Sequence, residues 1–190
     1  MPVELLTPRL RLRQWQARDL APYAALNADP EVMRFFPATQ SLEQSERSIA
    51  LWSAELDERG WSNWAVERRA DGVFIGFVGL GVPRRALPFM PCVELGYRLA
   101  RAHWHQGYAT EAGREALRFA FRDLQVPEVV AFTAKLNLPS QAVMQRLGMV
   151  DAQEDFEHPG VPEGSPLRPH CLYRLSRARW AALPSAGGPV

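Results

Sequence analysis

Residues 104–111 read Trp-His-Gln-Gly-Tyr-Ala-Thr-Glu and open a stretch whose apolar residues recur three and four apart, the spacing of an amphipathic helix. The first turn of a helix leaves about four backbone N–H groups without partners. Together with the macrodipole they form an anion site that needs no net charge. Gly107 allows close approach to the backbone and Ala109 keeps the same surface low. A phosphate or pyrophosphate fits such a turn, and plain close packing is the other reading. His103 and His105 flank Trp104, but no third ligand accompanies them, so loop polarity or phosphate contact is favoured over a metal pair. Cys92 and Cys171 stand alone, without CxxC spacing or the density of a disulfide framework, which points to a reducing cytoplasm.

The elements that must position these residues are legible from periodicity. Leu10, Leu12 and Gln14 alternate with Arg9, Arg11 and Arg13, so residues 8–15 are expected to be a strand with one apolar and one mainly basic face. A helix should follow from Arg18 and stop near Asp29-Pro30, because proline disfavours helix in the residue before it. Ser41 and Gln44 have the form of a capping box for a helix ending at Gly60. Strands 63–69 and 73–82 are joined by an Asp71-Gly72 hairpin turn. A strand at 93–99, the long helix 108–124, a strand at 126–133, a helix at 139–147 with Gly148 as its stop, and closing strands at 150–156 and 171–175 complete the chain. The loop 158–170 holds four prolines and two glycines and is long enough to cover a site, with Arg168 and its histidines as recognition groups or as solvated surface. Trp61, Trp64 and the pair Phe35-Phe36 are read as core or as walls of an acceptor groove.

With 190 residues the chain makes one domain, expected over 1–180, with a mobile tail at 181–190. At 47% hydrophobic and 23% charged it is too apolar for disorder and too charged for a membrane protein. A net charge of +1 provides no field for nucleic acid or anionic lipid, so neither is an expected partner. Glu4, Pro8, Arg9 and Arg11 interrupt any secretory signal, and the apolar run 73–82 is about half the ~20 residues needed to span a bilayer.

The order of strand, Gln-Gly-Tyr-Ala-Thr-Glu-Ala, long helix, strand, Asn137-Leu-Pro-Ser140 and Arg146-Leu-Gly-Met149 resembles the GCN5-related N-acetyltransferase (GNAT) superfamily. The opening Thr7-Pro-Arg-Leu-Arg-Leu, the phrase Asn27-Ala-Asp-Pro-Glu-Val-Met33 and Glu94-Leu-Gly-Tyr97 are similar to its RimJ/RimL-type branch. The resemblance implies an α/β (α+β) fold with a central, mostly antiparallel twisted sheet and about four helices. Strands 93–99 and 126–133 would splay to admit the pantetheine arm of acetyl-CoA, the co-substrate, with no metal.

By the same resemblance the coenzyme diphosphate falls on the loop of Trp104 and His105, held by the amides of Gln106, Gly107, Tyr108, Ala109 and Thr110. Backbone groups near Arg98 and Leu99 would bond the arm, and the Arg98 N–H is the expected donor to the thioester oxygen. Asn137 lies beside the arm and Ser140 near the sulfur, or else the two serve as a turn and a helix start. Many relatives carry a tyrosine where this chain has Met144. Glu94 matches the general base of some members and is alternatively a solvent or ion-pair residue. An α-amine with pKa ~8 needs little help, whereas a lysine must lose about three units, or ~4 kcal/mol. The implied function is N-acetylation of a primary amine, a protein N-terminus or a small molecule. A non-catalytic acyl-CoA-binding domain is the rival, and the oligomeric state is left open.

Overall fold

The computed structural model describes residues 3–184. Its strands, in chain order, are β1 (Leu5–Leu6), β2 (Leu10–Arg13), β3 (Asn63–Arg68), β4 (Phe74–Gly81), β5 (Glu94–Leu99), β6 (Glu128–Ala134), β7 (Val150–Asp151), β8 (Phe156–Glu157) and β9 (Pro169–Ser176). They form a single mixed sheet in the order β1-β2-β3-β4-β5-β6-β9-β7, with β8 also on β9. Only β5 and β6 run parallel, and every other described pairing is antiparallel. The helices are α1 (Leu20–Ala28), α2 (Pro30–Met33), α3 (Leu42–Arg59), α4 (Tyr108–Arg122), α5 (Leu138–Arg146) and α6 (Arg177–Ala181).

Local chemistry accounts for these boundaries. Ser41 Oγ accepts from the Gln44 amide while Gln44 Oε1 accepts from the Ser41 amide, the reciprocal cap expected for α3. Gly60 closes that helix at φ 83°, where a side chain would be strained. Small residues on the inner face of α4, Ala112, Ala116 and Ala120, are fully buried and let the helix lie close against β4 and β5.

The fold is the mixed α/β domain expected, with six α-helices among the described residues rather than about four. Pro30 does not simply end a helix: Asp29 turns the chain and its carboxylate caps α2, with proline at the first helical position where its missing N–H costs nothing. The expected strand 150–156 is broken in two, because Gln153 adopts φ 56° between β7 and β8. The basic face of β2 is also corrected. Arg13 is fully buried, bound to Asp19 at 2.6 and 2.9 Å and to Glu67 at 2.8 Å. Of the expected tail, Leu183 packs beside Gly148 and against the core, while 185–190 lie outside the described residues.

Candidate active site

The sheet is nearly severed at one place. β5 and β6 share a single register pair, Glu94 with Val130, fixed by a 2.9 Å bond from the Val130 N–H to the Val93 carbonyl. Beyond it β6 pairs fully with β9 as far as Ala134, and β5 continues along β4 alone. Backbone groups alternate sides along a strand. Val93 faces β6 and the Ala100 N–H bonds Ile75 on the β4 side, so the amides of Tyr97 and Leu99 look into the gap. The Arg98 amide, expected there, is directed to β4 opposite Phe77. The Leu99 carbonyl accepts from the Trp104 indole at 2.8 Å, which leaves its N–H for a ligand.

At the far end of β5 a 3-10 turn at residues 101–103 leads into the loop before α4. His105 (φ 59°) and Gly107 (φ 79°) are left-handed with Gln106 between them, a sign alternation that curls successive amides into an anion-binding nest. Gly107 is the N-cap of α4 and has no side chain to occupy the first-turn amides. The N–H groups of Tyr108, Ala109 and Thr110 are therefore open, and Glu111 is the first to bond within the helix, to the Gly107 carbonyl.

The loop has a brace that the periodicity of the chain did not reveal. Arg9 donates to the Gln106 carbonyl at 3.0 Å, lies 4.6 Å over the Tyr108 ring and pairs with Glu111 at 2.6 Å. Glu111 also accepts from the Thr7 hydroxyl and the Arg9 amide, which holds its carboxyl below the usual range. Arg9 and Glu111 sit in phrases noted for their resemblance, yet nothing in their spacing announces a contact across 102 residues.

A cavity of about 950 Å³ joins this loop to the gap and is walled further by Pro83, Arg84, Arg85, Leu87, His158, Gly160 and Val161. Glu94, Tyr97, Arg98, Leu99, Trp104, His105, Gly107, Tyr108, Ala109, Thr110, Asn137 and Ser140 all line it; exposed Gln106 borders it and bonds Ala102. The Glu94 carboxyl has no hydrogen bond or ion pair among the described residues, and burial pushes it up to about 7. Ser140 Oγ lies 2.8 Å from the Tyr97 hydroxyl, which also bonds the Ser140 carbonyl at 3.0 Å. Burial raises the Tyr97 phenol above its ordinary value, outweighing the opposite effect of its bond to Ser140. Asn137 serves the helix as well as the wall: its carbonyl caps α5 through the Ser140 amide and its amide donates to Thr133. Met144 is fully buried.

The remaining walls are aromatic. Phe35, Phe36, Trp52, Phe77 and Phe132 line the cavity, so the Phe35-Phe36 pair faces it while Trp64 is core. Arg168 pairs with Glu157 and donates to the Val161 carbonyl, both contacts within its own loop and the strand before it. His158 and His170 stack at 4.6 Å, and burial with mutual repulsion lowers His158 to about 4. No cluster able to hold a metal occurs among the described residues, and no described helix is long and apolar enough to cross a membrane.

Residues 9–150 match the family model described as Acetyltransferase (GNAT) domain. The chain is 34% identical to "Uncharacterized protein YkkB" of Bacillus subtilis, covering 77% of this chain and 84% of that one. It is 30% identical to the "FsC-acetyl coenzyme A-N(2)-transacetylase" of Aspergillus fumigatus, covering 82% and 68%. Its fold matches that of Mycobacterium smegmatis RimJ, solved in complex with CoA-disulfide, with a TM-score of 0.73, 21% identity and coverage of 95% and 94%. A sheet parted beside an uncapped helix start, together with these matches, makes the chain a member of the GNAT family of N-acetyltransferases.

Proposed function

We propose that the protein transfers the acetyl group of acetyl-CoA to a primary amine by direct attack of the neutral amine on the thioester. The observation that carries this reading is the unpaired edge of β5 running into the curled loop and open amides of α4. An extended arm with an anionic end matches that layout. The amides of residues 106–110 hold the diphosphate, with His105 giving the loop its curvature and Trp104 closing over the Leu99 carbonyl. The Leu99 amide bonds the arm and Asn137 borders it.

The Tyr97 amide, facing the gap where the Arg98 amide does not, donates to the thioester oxygen as negative charge develops there. Glu94 takes the proton of the incoming ammonium; an unpaired carboxyl with a pKa near 7 is poised for that exchange. As the C–N bond forms and the C–S bond breaks, the nitrogen's second proton passes to solvent; the Ser140 hydroxyl hydrogen-bonds the departing thiolate, with the Tyr97 phenol proton turned from the Ser140 carbonyl to its Oγ across their 2.8 Å contact. Holding both reactants in register is the main catalytic resource, worth roughly 7–11 kcal/mol. The acceptor is a protein N-terminus or a small-molecule amine. Two free thiols, Cys92 and Cys171, support a reducing cytoplasm as the site of action.

The test is calorimetry with acetyl-CoA together with thiol release in the presence of N-terminal peptides, lysine, polyamines and aminoglycosides. Binding with amine-dependent release is the expected result. Binding without release would make this an acyl-CoA-binding domain, and absence of both would overturn the assignment of the loop.

A further inference from the structure

Two arginines of this chain turn inward, and they are treated differently. Arg13 meets the carboxylates of Asp19 and Glu67, so its charge is matched within the fold. Arg98 lines the acceptor side of the cavity and has no ion pair among the described residues. Its Nη1 donates to the neutral Oδ1 of Asn27 at 2.6 Å, and its guanidinium lies 4.2 Å over the Phe36 ring and 5.6 Å from that of Phe77. Its Nε is buried with no hydrogen-bond partner. Asn27 is itself fully buried and donates to Ser45, so the guanidinium is pinned in place. Contacts with aromatic faces offset only part of the cost of an unmatched inward charge.

The setting indicates what would match it. Residues 94, 96 and 98 point to the same face of β5, about 7 Å apart in sequence steps of two. They present in turn a carboxyl without a partner, a glycine that leaves the backbone bare, and the guanidinium. This wall of the cavity is thus acidic at one end and basic at the other, and the Asn63 side chain and the Phe77 ring border the glycine between them. Resting on the acetyltransferase reading above, we propose that Arg98 anchors a carboxylate of the acceptor, and that the acceptor is a small amino-acid-like primary amine whose nitrogen is drawn to the Glu94 end.

The experiment compares free amino acids with their own amides and with the amines left by removing the carboxylate, using thiol release and calorimetric titration into the coenzyme A-loaded protein. Wild type is expected to favour the acids about tenfold or more in kcat/KM, the scale of a hydrogen bond to a charged group. Arg98→Gln should abolish that preference through KM for the acids, leaving KM for acetyl-CoA unchanged. Arg98→Lys, which keeps the charge but loses the fork, should fall between, and it carries the test if Arg98→Gln does not fold. Equal use of acids, amides and amines by wild type would overturn the proposal while leaving acetyl transfer intact. A preference for long peptides over free amino acids, or an equal loss for all acceptors in both variants, would overturn it as well. Failure to bind the coenzyme at all concerns the earlier reading; the same titration into unloaded protein then decides whether Arg98 binds carboxylates.

Discussion

Glu94 is the residue on which pH acts most directly. Its folded value, about 7, lies above the ordinary 4.5, so the native chain holds this proton more tightly than the unfolded one. Stability should therefore decline as pH rises from about 4.5 to about 7, and Glu94→Gln should unfold at a higher temperature than wild type at pH 8. Catalysis runs the opposite way, since the base must be ionised. The rate with a lysine-like acceptor should climb through pH 7 and level off, and Glu94→Gln should lose both that inflection and about a hundredfold in kcat/KM. An unaltered pH–rate profile in the variant would remove Glu94 from the mechanism. The residue type and the strand were readable beforehand; the missing partner was not, because what surrounds Glu94 comes from segments distant in the chain.

At the scale of elements, the loop and α4 invite two substitutions. Gly107→Ala meets no close atom, the nearest being Arg9 Nη2 at 3.6 Å, but forces a side chain into φ 79°. Strain of about 1 kcal/mol should lower the melting temperature slightly and weaken acetyl-CoA more than it weakens the fold, as calorimetry would register. Arg9→Ala should raise KM for acetyl-CoA with little change in kcat, because Arg9 braces the Gln106 carbonyl without reaching the cavity. The elements themselves were largely evident from spacing: the reciprocal cap at Ser41, the Asp71-Gly72 turn and the stripe of α4 are local properties. What escaped was set by context. Asp29 converts a helix stop into a second helix start, Gln153 splits a strand, and ladder parity moves the gap-facing amide from Arg98 to Tyr97. Parity depends on which neighbour a strand bonds, and that is a tertiary fact.

For the whole molecule, the buried Arg13 group ties β2, the turn before α1 and β3 together. Arg13→Ala would strand the buried Asp19 carboxylate and leave Glu67 to Arg18 alone, and should destabilise the chain by about 3–5 kcal/mol, measurable as a shift in denaturant midpoint with an unaltered slope. Arg13→Met, of similar bulk, would leave Asp19 without a cation in the same way and should be no remedy. By contrast Gly79→Ala acts sterically: its Cβ would sit 2.3 Å from Asn63 Cα and from the Ser62 carbonyl oxygen, so β3 and β4 could not keep their spacing.

The lone Glu94–Val130 clasp has a mechanical corollary. On one side lie five strands, on the other four, and little hydrogen bonding stitches the halves across their seam. A thioester seated in that seam would act as the absent strut, so deuterium uptake at the Tyr97 and Leu99 amides should slow sharply on saturation while the β3–β4 interior stays as it was. The ligand would then finish the architecture that later transforms it.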